Sequence, residues 1–433
     1  MRHFSTQDTP LGDIADAVIP AARATDPAAE DAVRRIVAEV RERGDEAVVA
    51  WSRERDWPDA GVSNLRVPEA EIRAAADGIA AADAEALAEA VRRVRAFHES
   101  QRPVDFVEAD GDGARLGWRY TPVESVGISA PAAAAPLPSS LIMAAAPAQV
   151  AGVKRIVVVT APGRDGSVNS GILAAAAVLG ISEVYRVGGP WAIAALAYGT
   201  AAIPQVDKIV GAGNIYVNLA KAMVAGVVGI DGFYGPSEVV ILADDSADPW
   251  LIAADLAAQA EHQEDSVAVV VTASGRLLEQ LEQALDGTVA ELERADVVRR
   301  CLGTRGAAIQ VRDVAEGVEM VNLLAPEHLE LMVADPEQAL AGVKNAGCIL
   351  LGSETPTAVS DYLAGPSHIL PTGRSARFAS GLGVTDFLKR SSIVSVSRDW
   401  LQAHGPNVER LAAMEGLQAH GRSVRIRMPK DGQ

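Results

Sequence analysis

The stretch that decides the fold is Glu238–Thr272, EVVILADDSADPWLIAADLAAQAEHQEDSVAVVVT. It opens on an apolar run, 238–243, and closes on a β-branched run, 267–272, and both read as strands. Between them the pattern turns helical. Asp248 suits the N-cap, Pro249 suits the first helical position, and Trp250, Leu251, Leu256 and Ala257 supply apolar turns. Strand, helix, strand is the crossover unit of a parallel sheet. Gln259 and His262, three apart, share a face where the helix turns back toward the sheet, and such connections carry sites. Taken alone, one histidine there reads more readily as a C-terminal cap or a solvated residue.

The same rhythm runs outward in both directions. Upstream, strands are predicted at 155–160, 183–187 and 207–210, with helices at 168–179, 190–198 and 217–228. Downstream, a long helix is predicted around 277–295 and strands at 307–311, 329–333 and 348–351. Two such series imply an α/β fold of two Rossmann-like lobes with mostly parallel sheets, plus a short N-terminal arm and a small helical C-terminal tail domain. The expected division is an arm at 1–22, a first lobe from 23–124 with 237–381, a second lobe at 125–236, and a tail at 382–433. Helices are predicted at 28–56 and 68–99, and a strand or ribbon at 113–122. In the tail, helices are predicted near 385–389 and 407–415. The tail is too small to bury a core alone, so it has to dock.

Composition excludes several functions. The chain has 433 residues, of which 49% are hydrophobic, so it is expected to be globular. Its formal charge of −18 argues against nucleic-acid or anionic-membrane partners, which it would repel. Cys301 and Cys348 form neither a metal-ligand spacing nor a disulfide framework, and two buried thiols in a reducing cytoplasm are expected. Residues 125–153 lack any charge but hold four prolines, so a loop and short helix are expected there rather than a membrane span.

Of seven histidines, four sit beside polar or constrained residues: QAEH (259–262), APEH (325–328), DYLAGPSH (361–368) and EGLQAH (415–420). Each has a carboxylate within seven residues, the pairing that metal binding and general-base work require. APEH is the best candidate for proton transfer: Pro326 is expected to hold Ala325 extended, and a turn there lets Glu327 and His328 line one cavity. GAGN at 211–214 and GGP at 188–190 each follow a strand and precede a helix. Either could aim N–H groups at a phosphate, although spacing alone favours a tight turn.

Together the segments VDKIVGAGNIYV, GIDGFYGPSEVVILAD, DLAAQAEH, APEHLEL, SDYLAGPSHILPT, ASGLGVTDFLKRSS and EGLQAH resemble histidinol dehydrogenases, and the resemblance runs through nearly the whole chain. It implies one zinc per subunit on Gln259, His262, Asp361 and His420, and catalysis by Glu327 and His328. It places substrate contacts on Ser237, His368 and Glu415, besides His328 and the zinc ligands. It further implies NAD as cofactor, with the cofactor positions falling on Ser129, Trp191 and Asn214, and a cytoplasmic homodimer whose tail crosses to the partner subunit. The reaction implied is the four-electron oxidation of L-histidinol to L-histidine through histidinaldehyde. The chain departs from the family's pattern on the cofactor side: a Tyr-Val-Pro-Gly-Gly stretch is Ser129-Ala130-Pro131-Ala132-Ala133, a family Gln is Trp191, and Gly-Pro-Gly-Asn is GAGN. Two alternatives stay open. One is a paralogue with another amino alcohol or altered cofactor use; the other is a zinc-dependent binder without turnover.

Overall fold

The strand Glu238–Ala243 is buried along its entire length, as an unbroken apolar run in a sheet covered on both faces must be. The computed structural model, which describes residues 1–19, 26–132 and 136–428, sets this strand inside a six-stranded parallel sheet. Its neighbours are Val267–Thr272 on one side and His328–Met332 on the other. Ala307–Gln310 and Arg2–Ser5 extend the first side, and Cys348–Leu351 extends the second. Side chains alternate between two cores. Val239 and Ile241 meet the helices Pro249–Ala260, Gly275–Ala290 and Ala295–Thr304, while Val240 and Leu242 meet Leu11–Val18 and Val314–Leu324. The helix Pro249–Ala260 starts as its sequence predicts, with Asp248 accepting the Trp250 N–H at 2.8 Å and proline in the first turn.

A second parallel sheet has the order Glu183–Arg186, Arg155–Thr160, Ser125–Ala130, Lys208–Val210, Gly229–Ile230. In the second sheet, and in the first apart from its edge strand Arg2–Ser5, the chain starts centrally, moves outward on one side, then returns to fill the other. That is the doubly wound order, with a switch point beside the first strand. The charge-free stretch becomes the strand Ser125–Ala130 and the buried helix Pro138–Ala151; among the described residues no helix is long and apolar enough to cross a membrane.

The expected division needs three corrections. The arm is not separate: Arg2–Ser5 is an edge strand of the first sheet and Leu11–Val18 packs on Val314–Leu324, while residues 20–22 lie outside the described residues. The helices of 27–99 pack with the second lobe rather than the first. Val33, Val37, Val40, Trp51 and Leu65 share a core with Val157, Trp191 and Leu196. Finally, Arg102–Val123 groups with residue 387 onward as a separate compact unit. In that unit Ala114–Pro122 is the middle strand of an antiparallel sheet, flanked by Phe106–Ala109 and Leu388–Val396. The tail is therefore not all helical. Its predicted helix near 385–389 is a short turn, Val384–Phe387, running into the strand Leu388–Val396, whose Ser391, Ser392, Ile393 and Val394 favour extension. Two helices follow, Arg398–Met414 and Gln418–Arg425, packed on each other.

Candidate active site

Glu238 and His328 are the first residues of adjacent parallel strands, so the site forms at the amino edge of the first sheet. Glu327 Oε2 accepts the Glu238 N–H at 2.8 Å, Glu238 Oε2 accepts the Glu327 N–H at 3.3 Å, and Glu238 Oε1 accepts the Gly373 N–H at 2.8 Å. Ser237 bonds to the Glu327 carboxyl. Sequence reasoning missed Glu238. Its signal was a carboxylate opening a strand that is otherwise wholly apolar.

Ala325 corrects another expectation. It is left-handed (φ 43°, ψ 58°) rather than extended, because it also ends the helix Val314–Leu324, where a left-handed residue closes the last turn. The chain then reverses into Glu327 and His328, and the two side chains meet. His328 Nδ1 lies 3.8 Å from Glu327 Oε2 and 3.3 Å from the Glu238 carbonyl oxygen. That carbonyl takes the Nδ1 proton, which leaves Nε2 as the basic nitrogen. Nε2 is buried 3.3 Å from Asp361 Oδ1, in ion-pair range but without hydrogen-bond alignment.

Burial dominates the electrostatics. It pushes Glu238 up to about 8 against the Gly373 N–H, and Glu327 up to about 7 against the charge of His328. Burial works to lower His328, but Asp361 and Glu327 outweigh it and hold the ring up at about 9. Asp361 is also resisted by burial, yet His328, His368 and His262 keep it below the usual carboxylate range. The three histidines thus converge on one carboxylate.

His368 Nδ1 lies 2.9 Å from the Asp361 carbonyl oxygen and Nε2 lies 3.1 Å from Ser140 Oγ, so both ring nitrogens are occupied within the protein. His262 is exposed, with Nδ1 3.1 Å from the Ala258 carbonyl oxygen, which leaves Nε2 outward. Gln259, the penultimate residue of the helix Pro249–Ala260, is buried and its amide nitrogen has no partner. Glu415 and His420 belong to the other compact unit, where both are exposed around the turn between its two helices.

On the second sheet, Ser129 is the penultimate residue of the strand Ser125–Ala130. Asn214 caps the helix Ile215–Val224, accepting the Tyr216 and Val217 N–H groups at 3.1 Å each. The GAGN turn is pinned from inside: Asp231 accepts the Gly211 N–H at 2.7 Å, and Lys221, buried and paired with Asp231, donates to the Gly211 carbonyl at 2.9 Å. The GGP turn is pinned likewise, its Gly188 N–H taken by Asp56 at 3.2 Å. Trp191 is a core residue at 5% exposure, donating to Ser52 Oγ at 3.1 Å and stacked on Trp51. Ala133 lies outside the described residues.

Comparison with known proteins decides the family. The histidinol dehydrogenase family model matches residues 20–428. The chain belongs to the histidinol dehydrogenase family. It is 45% identical over 399 residues to the histidinol dehydrogenase of Halalkalibacterium halodurans, covering 92% of this chain and 94% of that one. It is 46% identical over 396 residues to that of Rhizobium meliloti, covering 92% and 91%. The crystal structure of histidinol dehydrogenase from Elizabethkingia anophelis superposes with a TM-score of 0.93 at 32% identity, covering 99% of this chain and 98% of that one. As a histidinol dehydrogenase family member the chain is an oxidoreductase.

Two structural details fit the zinc that the family implies. Among the described residues no three His, Cys, Asp or Glu side chains form a cage by themselves. The inferred set, however, includes an amide, and Gln259 is buried with its amide nitrogen unpaired, so no hydrogen bond of that nitrogen stops the group from turning its oxygen to a metal. His262 has its Nδ1 anchored to a backbone carbonyl, the arrangement that fixes the tautomer and orientation of a metal-ligating imidazole. For a histidinol dehydrogenase cofactor, the second sheet offers its switch point. Gly211 and Asn214 lie beyond the carboxyl end of Lys208–Val210, and Ser129 is the penultimate residue of the neighbouring strand Ser125–Ala130. Gly211 (φ 114°) leaves a cradle there, since a Cβ would fall 2.4 Å from the Ser129 carbonyl oxygen.

Proposed function

We propose that this chain oxidises L-histidinol to L-histidine through histidinaldehyde, with zinc bound and NAD as the electron acceptor. The observation that carries the reading is the placement of His328 between Glu327 and Asp361, with one ring nitrogen anchored and the other orphaned. Gln259, His262 and Asp361, completed by His420 of the tail, are the residues that would hold zinc. Ser129 and Asn214, with the backbone at Trp191, are the positions for NAD. When bound, zinc fixes the substrate's orientation and NAD accepts one hydride in each of two successive oxidations.

The chain's own residues handle protons. Above about pH 9, where the raised His328 ring is neutral, Nε2 takes the alcohol proton as the C–H bond gives up its hydride, which yields the aldehyde. Glu327, raised toward neutrality by burial, takes a proton from the water that attacks the aldehyde carbon. His328 returns its proton to the aldehyde oxygen as water adds, which completes the hydrate, and then takes a hydroxyl proton of that hydrate as the second hydride leaves. Ser237, His368 and Glu415 are assigned to substrate contact; for His368 this requires exchange of its Ser140 partner.

A homodimer in which the tail completes a neighbouring site fits the exposed apolar residues Val394, Leu411, Met414 and Ile426 of the second unit, which need a cover. One observation favours the altered-cofactor reading: Asp56 and Asp231 already occupy the first glycine N–H of each turn, Gly188 and Gly211. NADH formed per L-histidinol consumed separates the two. Two NADH, abolished in His328→Ala and by chelation, supports the first; zinc-dependent histidinol binding without NADH replaces it with the second.

A further inference from the structure

Glu330 is 1% exposed and belongs to none of the proton-transfer or ligand roles above. Its Oε1 accepts both the backbone N–H and the hydroxyl of Thr357, at 2.9 and 2.7 Å. Its Oε2 is buried with no donor of its own. The group it faces is another carboxyl, that of Asp255, and burial raises both above the usual carboxylate range. If both were ionised, oxygen would confront oxygen in a low-dielectric interior. One shared proton turns that repulsion into a hydrogen bond.

The placement of this pair gives it a role. Asp255 and Gln259 are four apart on the helix Pro249–Ala260, so they share a face. Thr357 and Asp361 are four apart on Thr357–Tyr362. Glu330 and His328 are two apart on the strand His328–Met332, so both point to one side of the sheet. A single contact therefore ties together three elements, each one step behind a residue assigned to zinc or proton transfer.

We propose that the Asp255–Glu330 carboxyl pair, with Thr357, is a positioning device that sets Gln259, Asp361 and His328 relative to one another through one shared proton. The proposal rests on the zinc reading above. The geometry requires that residue 330 accept from Thr357 on one side and donate to Asp255 on the other. Glutamine meets both requirements and leucine meets neither, although leucine fills the volume and a buried ion-like pair replaced by apolar groups commonly keeps its fold.

The test is zinc affinity of the purified full-length protein by competition with a chromophoric chelator, alongside L-histidinol turnover. Glu330→Leu is expected to bind zinc on the order of tenfold more weakly, and Glu330→Gln is expected to restore wild-type affinity. Zinc affinity unchanged in Glu330→Leu, or as weak in Glu330→Gln as in Glu330→Leu, overturns the proposal. Should Glu330→Leu not fold, Thr357→Val is read in its place: it removes only the hydroxyl, and unchanged zinc affinity overturns the proposal there too. His262→Ala serves as the reference. A wild type that binds no more zinc than His262→Ala overturns the zinc reading itself, a result distinct from any difference among the residue 330 variants.

Discussion

Glu238 and Glu327 exchange hydrogen bonds across adjacent strands, each side chain accepting the other's backbone N–H, at 2.8 and 3.3 Å. The reciprocity fixes the Glu327 carboxyl and leaves the Glu238 carboxyl buried, accepting from the Glu327 and Gly373 N–H groups. Glu238 is raised by burial to about 8 from 4.5, so the folded chain holds a proton that the unfolded chain releases. Stability from this group is complete below the unfolded value and is lost as pH rises through the folded one. The urea midpoint should therefore fall from about pH 5 to about pH 8. Glu238→Gln should lower the midpoint and flatten this fall. Glu327 and Glu330 shift the same way, so the fall persists in part; parallel curves for wild type and variant would refute the assignment.

His262 is exposed and its ring is held only by the Ala258 carbonyl. His262→Ala should keep its unfolding midpoint and lose bound zinc after dialysis. Retained stoichiometric zinc, by elemental analysis, would remove His262 from the ligand set.

At Gly211 a methyl group would meet the Ser129 carbonyl oxygen in a backbone of φ 114°. Gly211→Ala should lower stability by about 1–3 kcal/mol and raise the KM for NAD, with zinc content unchanged. An unaltered KM would place the cofactor elsewhere.

Trp191→Phe removes the buried indole N–H, which donates to Ser52 Oγ and also bonds the Asp56 carboxyl. A loss of about 1 kcal/mol in chemical denaturation is expected, with KM for NAD unchanged. A large rise in KM would show instead that the indole itself reaches the cofactor.

Lys221 and Asp231 have side chains 0% and 1% exposed, and removing one strands the other. Lys221→Met should destabilise by about 3–5 kcal/mol, and the GAGN turn should loosen with it. A midpoint close to wild type would mean that water reaches Asp231.

The doubly wound lobes were legible because unbroken apolar strands and capped helices alternate, as in 238–272. Proximity of Glu327 to His328 was legible too, since a proline turn between helix and strand can aim neighbours into one space. Other features depended on long-range pairing. That 27–99 joins the second lobe follows from which apolar stripe meets Trp191, and 102–123 joins the tail because Ala114–Pro122 finds its partner at Leu388–Val396. Glu238 and Glu330 escaped because their importance lies in what faces them across the sheet, which no local pattern encodes. Ala325 went the other way from its proline rule because two local rules competed and helix closure won.

Glu238, Glu327 and His328 gather at the amino edge of the first sheet, and the opposite edge has an exposed turn at Asp245 and Ser246, following the strand Glu238–Ala243. The chemistry and this turn are separated by the length of a strand. A tether, fluorophore or inserted peptide between Asp245 and Ser246 should leave turnover intact, which makes that turn the natural handle for immobilising the enzyme on a surface.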